Sequence, residues 1–384
     1  MKKRLTILLA IVSFLTIFFT PIKTKVLADE KVKSSILLDY DSKTVICKYN
    51  EKERRPIASM CKIMTLLLIF EEIDKGNISL SENMIVGENA ARMGGSQAFL
   101  EAGGEYPASE LIKSIVIASA NDSCVAFAEK ISGSEELFVE RMNAKAKELN
   151  MNNTLFSNCT GLPKPTQYSC AEDVAKMFTE LLKHEEYYKF TKVWMDEIKH
   201  PKGRVTELTN TNKMIRFYEG CDGGKTGYTA EAGHCLSVTA KRGNMRLIAI
   251  VIGAPDSKTR FAAASTLLNQ GFAEYENKTV VSSKEPLEIT VSVHGGVKKN
   301  ASVKADRDCY YFCKKGEKVN LRVDFEPEKR VKAPLKTGDK VGVLKVFKDD
   351  IEYAEVNMVT AEDIEETSYF GYIKDVMQNW AFCG

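Results

Sequence analysis

The sequence predicts an α+β chain in which an antiparallel sheet packed by helices is followed by a small all-β domain and a C-terminal amphipathic helix. Three observations predict this. Apolar residues recur at spacings of three and four through the middle of the chain, as on one face of a helix. Short β-rich runs bracket that middle, so the two ends of the first domain share one sheet. From Leu287 onward, short alternating runs are separated by turn residues, the pattern of a second, all-β unit. A chain of 384 residues is long enough for more than one domain at roughly 100–200 residues each.

The first thirty residues read MKKRLTILLAIVSFLTIFFTPIKTKVLADE. Lys2, Lys3 and Arg4 form a basic start, Leu5 to Phe19 an apolar stretch, and Val26-Leu27-Ala28 a cleavage-like end. The expectation is a signal peptide over 1–28 and an exported protein. The alternative is a retained anchor, but the apolar stretch is short of the roughly twenty residues that a span needs.

The catalytic unit is expected over 29–279. SSILLDYDSKTVICKYN makes a hairpin around Asp41-Ser42-Lys43. Helices follow in KIMTLLLIFEEIDKG, in ASELIKSIVIASAND running into SCVAFAEKISG, in EELFVERMNAKAKELN, and in AEDVAKMFTELLKHEEYYKFTKVW as one long segment. GHCLSVTAKRGNMRLIAIVIGA then gives two strands turning at Gly243-Asn244, and SKTRFAAASTLLNQGFAEYEN closes the unit as a helix.

The β domain is expected over 280–365, with strands in LEITVSV, KVNLRVDF and DKVGVLKVF. In the tail, 366–384, Tyr369, Tyr372, Ile373, Val376, Met377 and Trp380 fall on one helical face, and Lys374, Asp375, Gln378 and Asn379 on the other. Such a helix either lies in a membrane interface or docks on the β domain.

Composition excludes several function classes. A net charge of +2 with interspersed signs leaves no basic stripe, so no nucleic-acid partner is expected. Ten cysteines show no C-x-x-C and no disulfide framework, which argues for mostly free, buried thiols; Cys309 and Cys313 either bridge or face opposite sides of a strand. The four histidines form no H-E-x-x-H, so metalloprotease chemistry is not expected.

The chemistry is carried by three short motifs. In PIASMCKIMT, Ser59 and Lys62 stand three apart and share one helix face, a nucleophile beside a base. Alone, that spacing is better read as an ordinary exposed pair on a core helix, because the pattern is short and its residues are common. Ser119-Ala120-Asn121 follows at a junction of two helices, and Lys225-Thr226-Gly227 just before the strand block. The ordered set S-x-x-K, S-x-N, K-T-G is far more specific than any one member.

With these motifs, and with GGSQAFLEAG, NCTGLPKPTQYSCAEDVA and GCDGGKTGYT, the chain from about Ser34 to Asn277 resembles the serine D-alanyl-D-alanine carboxypeptidases, the low-molecular-mass penicillin-binding proteins of peptidase family S11. The resemblance implies a β-lactamase/transpeptidase-like catalytic domain, a peptidoglycan stem peptide ending in D-Ala-D-Ala as substrate, β-lactams as inhibitors and no cofactor. The expected location is the cell envelope, either on the outer face of the cytoplasmic membrane, with peripheral contact through the terminal helix, or secreted. Cys61 departs from the threonine common at that position.

The residues support the chemistry implied. Ser59 would attack, Lys62 would act as base once burial and a second lysine lower its pKa, and Ser119 would relay a proton between Lys62, Lys225 and the leaving nitrogen. Asn121 would hold the substrate amide or the Lys62 amine, and Lys225 and Thr226 the substrate carboxylate. Gly227 would let a substrate strand approach closely. By resemblance, the N–H groups of Ser59 and Tyr228 form the oxyanion hole, and Arg260 either recognises the carboxylate or is structural. A class A β-lactamase shares the motifs but adds an E-x-x-L-N stretch; here the corresponding region reads NTLFSNCTGLPKP. The other alternative, a silent envelope-binding scaffold, would be marked by a missing motif residue, and none is missing.

Overall fold

The computed structural model describes residues 31–373; the expected signal peptide and the tail from Lys374 onward lie outside them. Strands β1 (Ser34–Asp39) and β2 (Val45–Tyr49) form the expected hairpin. Two small hairpins follow along the chain, β3 (Asn83–Ile85) with β4 (Glu105–Pro107), and β5 (Met195–Lys199) with β6 (Val205–Thr209). Then come β7 (Cys221–Thr229), β8 (Gly233–Arg242) and β9 (Met245–Ala254). The main sheet is antiparallel with order β2-β1-β9-β8-β7, and Ser34 to Asp39 pair with Ile252 to Leu247. The two ends of the domain do share one sheet, and β7 is left at its edge.

Period-two alternation sends the two faces of this sheet into separate cores. Ile36, Leu38, Ile248, Ile250 and Ile252 pack on the helical layer that carries the site. Leu37, Leu247, Ala249 and Val251 meet Leu267 and Leu268 of the helix Ser257–Glu274 on the other side. At the centre of the first layer lies the helix Lys62–Asp74, buried without interruption from Lys62 to Phe70. Full burial of each aliphatic side chain contributes about 1.5–3 kcal/mol, so this helix is a fixed mount for whatever stands at its start.

The long helix expected over 171–194 is two pieces, Ala171–Leu181 and Tyr187–Thr191. Between them the N–H groups of Lys183 and His184 bond three residues back, to Glu180 and Leu181, and close the first helix in a turn. The bend lets His184 stack on Phe70 and Tyr187 meet it edge-on, both at 5.9 Å between ring centres. Packing against the central helix overrides local propensity here. β5 and β6 have no counterpart among the expected elements, because only Ile198 and Leu208 are buried in them, too few to show a period.

The helix Ser257–Glu274 passes directly into β10 (Tyr275–Val281), so the β texture begins a few residues before position 280. The later strands are β11 (Thr290–His294), β12 (Asn300–Ala305), β13 (Cys309–Lys314), β14 (Leu321–Pro327), β15 (Val331–Lys332), β16 (Lys340–Lys348) and β17 (Ile351–Thr360). β10 pairs with β13, and the other six form a sheet of order β14-β16-β17-β12-β11-β15. Val303, Val341, Val346 and Met358 centre its own core.

Cys309 and Cys313 point to the same buried face of β13 rather than to opposite sides. Four residues of strand separate them by roughly 13 Å, too far to bridge. All nine cysteines among the described residues are free thiols. The described start of the tail is helical from Tyr369; Tyr369 and Phe370 are exposed, while the Tyr372 hydroxyl lies against Gly295, where a β-carbon would meet it at 2.0 Å.

Candidate active site

Ser59 sits in a 3-10 turn, Ala58–Cys61, that runs straight into the helix Lys62–Asp74. Ala58 holds φ +47°, a left-handed conformation that costs a non-glycine residue roughly 1–2 kcal/mol. Two glycines hem in this strained turn. A β-carbon on Gly161 would lie 2.1 Å from the Ala58 carbonyl oxygen, and one on Gly227 would lie 2.7 Å from the Ile57 oxygen and 3.1 Å from the Ser59 nitrogen. The space that Gly227 leaves open is therefore filled by the nucleophile's own turn rather than by a substrate strand.

Lys62 is fully buried, and its Nζ lies 2.7 Å from Asn121 Oδ1, 2.5 Å from the Thr160 carbonyl oxygen and 3.0 Å from Ser59 Oγ. As an ammonium it donates to all three oxygens, which offsets a desolvation cost of several kcal/mol. Burial lowers its pKa from the ordinary lysine value. The neutral amine keeps two N–H bonds, and the two carbonyl-type oxygens can only accept. Its lone pair is then left facing the Ser59 hydroxyl, the one partner that can donate.

Lys225 is also buried, and burial first, then the charge of Lys62, holds its pKa well below the usual range. Its Nζ donates to Ser119 Oγ at 2.8 Å and to the Thr226 carbonyl at 3.2 Å. Ser119 ends the helix Ala108–Ala118 in a left-handed conformation, φ +63°, which turns its hydroxyl to Lys225. In the resting site Ser119 pairs with Lys225, and Asn121, two residues on, pairs with Lys62. The Thr226 hydroxyl donates to Thr211 Oγ1 at 2.7 Å.

Asn121 begins the helix Asn121–Ser132, and its Nδ2 donates to the Gly94 carbonyl at 2.7 Å, so its Oδ1 is the end that faces Lys62. The Gly94 segment is held by Asp122, a buried carboxylate that accepts the N–H groups of Ala98 at 3.1 Å and Leu100 at 3.0 Å. Replacing Asp122 by alanine strands both donors at about 1–3 kcal/mol each. The expected result is a chain destabilised by about 2–4 kcal/mol in urea unfolding, with slower acylation because the Asn121 amide loses its anchor.

Arg260 is buried at the back of β7. It donates to the carbonyls of Gly227 and Cys235, both at 3.3 Å, and to Ser257 Oγ at 3.1 Å, so it ties β7 to β8 beside the nucleophile. The Tyr228 ring is exposed and lies on His234, 4.3 Å between ring centres. Ser59, Lys62, Ser119, Asn121, Lys225, Thr226 and Gly227 thus come together, with Arg260 behind them. Sequence reasoning missed Thr160, Gly161, Asp122 and Thr211. Thr160 acts through its main chain and carries no residue-type signal, but the glycine of NCTGLP and the acidic residue after Ser119-Ala120-Asn121 were visible.

Residues 22–256 match the family model described as D-alanyl-D-alanine carboxypeptidase, peptidase S11, and residues 275–366 match the C-terminal domain of penicillin-binding protein 5. The chain is 42% identical over 359 residues to the D-alanyl-D-alanine carboxypeptidase DacF of Bacillus subtilis (strain 168), covering 93% of this chain and 92% of that one. It is 32% identical to DacC of Escherichia coli (strain K12), covering 88% and 86%. Among solved structures it resembles penicillin-binding protein 5 of Haemophilus influenzae, with a TM-score of 0.66, 29% identity and coverage of 88% and 98%. The α+β fold and the three motifs agree with these matches. The chain belongs to the D-alanyl-D-alanine carboxypeptidase family, peptidase S11.

Proposed function

We propose that the chain is a serine-type carboxypeptidase that removes the terminal D-alanine from peptidoglycan stem peptides ending in D-Ala-D-Ala, and that β-lactams inhibit it by acylating the same serine. The observation that carries this reading is the Lys62 amine, held by Asn121 and Thr160 so that its lone pair meets Ser59 Oγ. Ser59 Oγ attacks the penultimate carbonyl as Lys62 takes its proton. The N–H groups of Ser59 and Tyr228 receive the oxyanion. The C–N bond then breaks, the leaving amine takes a proton through Ser119 and Lys225, and D-alanine departs. Water hydrolyses the ester and returns Ser59.

In this reading Lys225 and Thr226 bind the terminal carboxylate, and Arg260 acts through the Gly227 carbonyl that it holds. A β-lactamase would need a carboxylate to hold a hydrolytic water. Among the described residues none bonds to Ser59 or Lys62, and the 154–165 segment offers Lys62 the Thr160 carbonyl instead. Export to the outer face of the membrane is our reading of the basic-apolar start, and exposed Tyr369 and Phe370 support a tail that meets a membrane interface.

The test is D-alanine release from an acylated tripeptide ending in D-Ala-D-Ala. One D-alanine per peptide, blocked by prior exposure to benzylpenicillin, is the expected result. Rapid penicillin hydrolysis without D-alanine release favours the β-lactamase; neither activity favours a scaffold.

A further inference from the structure

Three side chains at the start of the nucleophile's helix take three successive main-chain carbonyls of a distant segment. Cys61 Sγ donates to the Asn158 carbonyl at 3.3 Å, Thr65 Oγ1 to the Cys159 carbonyl at 2.6 Å, and Lys62 Nζ to the Thr160 carbonyl at 2.5 Å. Positions 61, 62 and 65 share one helix face, since 61 and 65 stand about a full turn apart and 62 lies between them. The chain bends at Cys159 and Thr160, and all three oxygens turn to that face. Cys61, Lys62 and Thr65 are fully buried. Only the Lys62 contact has a part in the chemistry above.

The N–H groups of the same segment are tied elsewhere. That of Cys159 donates to Glu135 Oε1 at 3.0 Å, and those of Thr160 and Gly161 donate to Asn158 Oδ1 at 3.2 and 2.7 Å. These bonds fix the segment to itself and to the helix Glu135–Glu148, not to the helix that carries Lys62. Among the described residues, the side-chain hydrogen bonds from the Lys62 helix and its leading turn to residues 158–160 are those of Cys61, Lys62 and Thr65. Lys62 alone does not keep the Thr160 carbonyl in place through a catalytic cycle. A neutral amine holds an acceptor less strongly than an ammonium does, so the carbonyl needs other anchors whenever Lys62 is unprotonated. With the two preceding carbonyls held, the Thr160 oxygen stays on the amine in both charge states, and the lone pair stays on Ser59 Oγ.

We propose that Cys61 and Thr65 are positioning residues for the base: by holding the Asn158 and Cys159 carbonyls they set the Thr160 oxygen on Lys62 and so aim its lone pair at Ser59. Thr65 is the stronger member, because a hydroxyl donates better than a thiol. Threonine and cysteine can both donate, so the departure at Cys61 keeps the clamp. The inference rests on the reading of Lys62 as the base for Ser59. The other titratable groups facing Lys62 are the thiols of Cys61, Cys124 and Cys159, the Asp122 carboxylate and Lys225. Burial raises the pKa of all three thiols, that of Cys124 to about 12, so they stay uncharged while Lys62 titrates.

The experiment measures the rate of benzylpenicillin acylation of the full chain across pH by intact mass spectrometry. Thr65→Val keeps the shape of the side chain and removes its donor. With the Thr160 oxygen released, the ammonium form of Lys62 loses more than the neutral form, since charge-assisted hydrogen bonds are roughly twice as strong. The rise of the rate with pH should therefore move to lower pH by about one unit, while the plateau above it falls about tenfold. Cys61→Ala should shift both in the same direction by less, and Thr65→Ser, which keeps the hydroxyl, should restore both. Thr360→Val removes a buried hydroxyl from the Lys336 carbonyl, 2.8 Å away in the β domain, and should lower stability in urea without moving the pH profile. A profile that stays in place in Thr65→Val and Cys61→Ala overturns the positioning role, because the two bonds are then structural only. A profile that moves to higher pH overturns it as well, because the amine has then gained water rather than lost an acceptor. Cys61→Ala removes a single sulfur and carries the test if Thr65→Val does not fold. Full-rate acylation of Lys62→Met overturns the base reading and the clamp with it.

Discussion

Ser59→Ala protein incubated with benzylpenicillin is expected to keep its mass, whereas the unsubstituted chain gains one penicillin and holds it. The alanine removes the only oxygen that the Lys62 lone pair can deprotonate, since the other two partners of that amine are carbonyl-type oxygens without a proton to give. Lys62→Met keeps the nucleophile and removes the base. General-base catalysis contributes typically 10²- to 10⁴-fold, so the adduct should form more slowly by about that factor. The pH dependence has a definite sign. Burial lowers the Lys62 pKa, and the active form is the neutral amine, so acylation accelerates as pH rises through that lowered value. The accelerating limb should sit below the ordinary lysine value of 10.5 and vanish in Lys62→Met. Time-resolved intact mass spectrometry reads all three results. A penicillin adduct on Ser59→Ala, or a Lys62→Met chain that acylates at full rate, would remove these residues from their roles.

Much of this site was legible in the sequence because its residues act through side chains at fixed spacing. Ser59 and Lys62 share a face because a helix places positions three apart together; Lys225 was expected at the start of a strand, and it stands instead at the middle of β7, the strand that the sheet leaves at its edge. That the two ends of the domain share one antiparallel sheet was legible too, since β-rich runs bracket a mostly helical middle, whereas the pairing of β1 with β9 was not, since both are apolar runs buried on both faces. What could not be read is what the main chain does. The Thr160 carbonyl on Lys62 depends on a turn whose side chains give no period, and the left-handed Ala58 is a residue type that ordinarily signals helix. The broken helix at 182–186 was missed for a related reason: its sequence is helical in composition, and the bend is set by where Phe70 lies in the finished core.

The glycine of NCTGLP is where those main-chain effects converge, and Gly161→Ala is the substitution with the largest expected effect outside the motif residues. Gly161 has φ +84°, where an L side chain is strained by about 1–3 kcal/mol whatever the space. Here there is no space. The added carbon would stand 2.1 Å from the Ala58 oxygen, 2.5 Å from the Ala58 carbonyl carbon and 2.9 Å from the Ser59 nitrogen, all main-chain atoms. Relief requires the Ala58–Ser59 peptide or the Thr160 turn to move, and the two carry the nucleophile and one of the three oxygens on Lys62. A shift of about 1 Å in such a constellation costs about 100-fold in rate. Gly76→Ala separates strain from clash, since Gly76 has φ +75° with nothing within 4 Å and lies at the far end of the central helix. Both variants should lose stability in urea unfolding, but only Gly161→Ala should lose penicillin acylation. A Gly161→Ala chain that acylates like Gly76→Ala would mean that the nucleophile turn is not held by this contact, and that the strain at Ala58 is borne by the central helix alone.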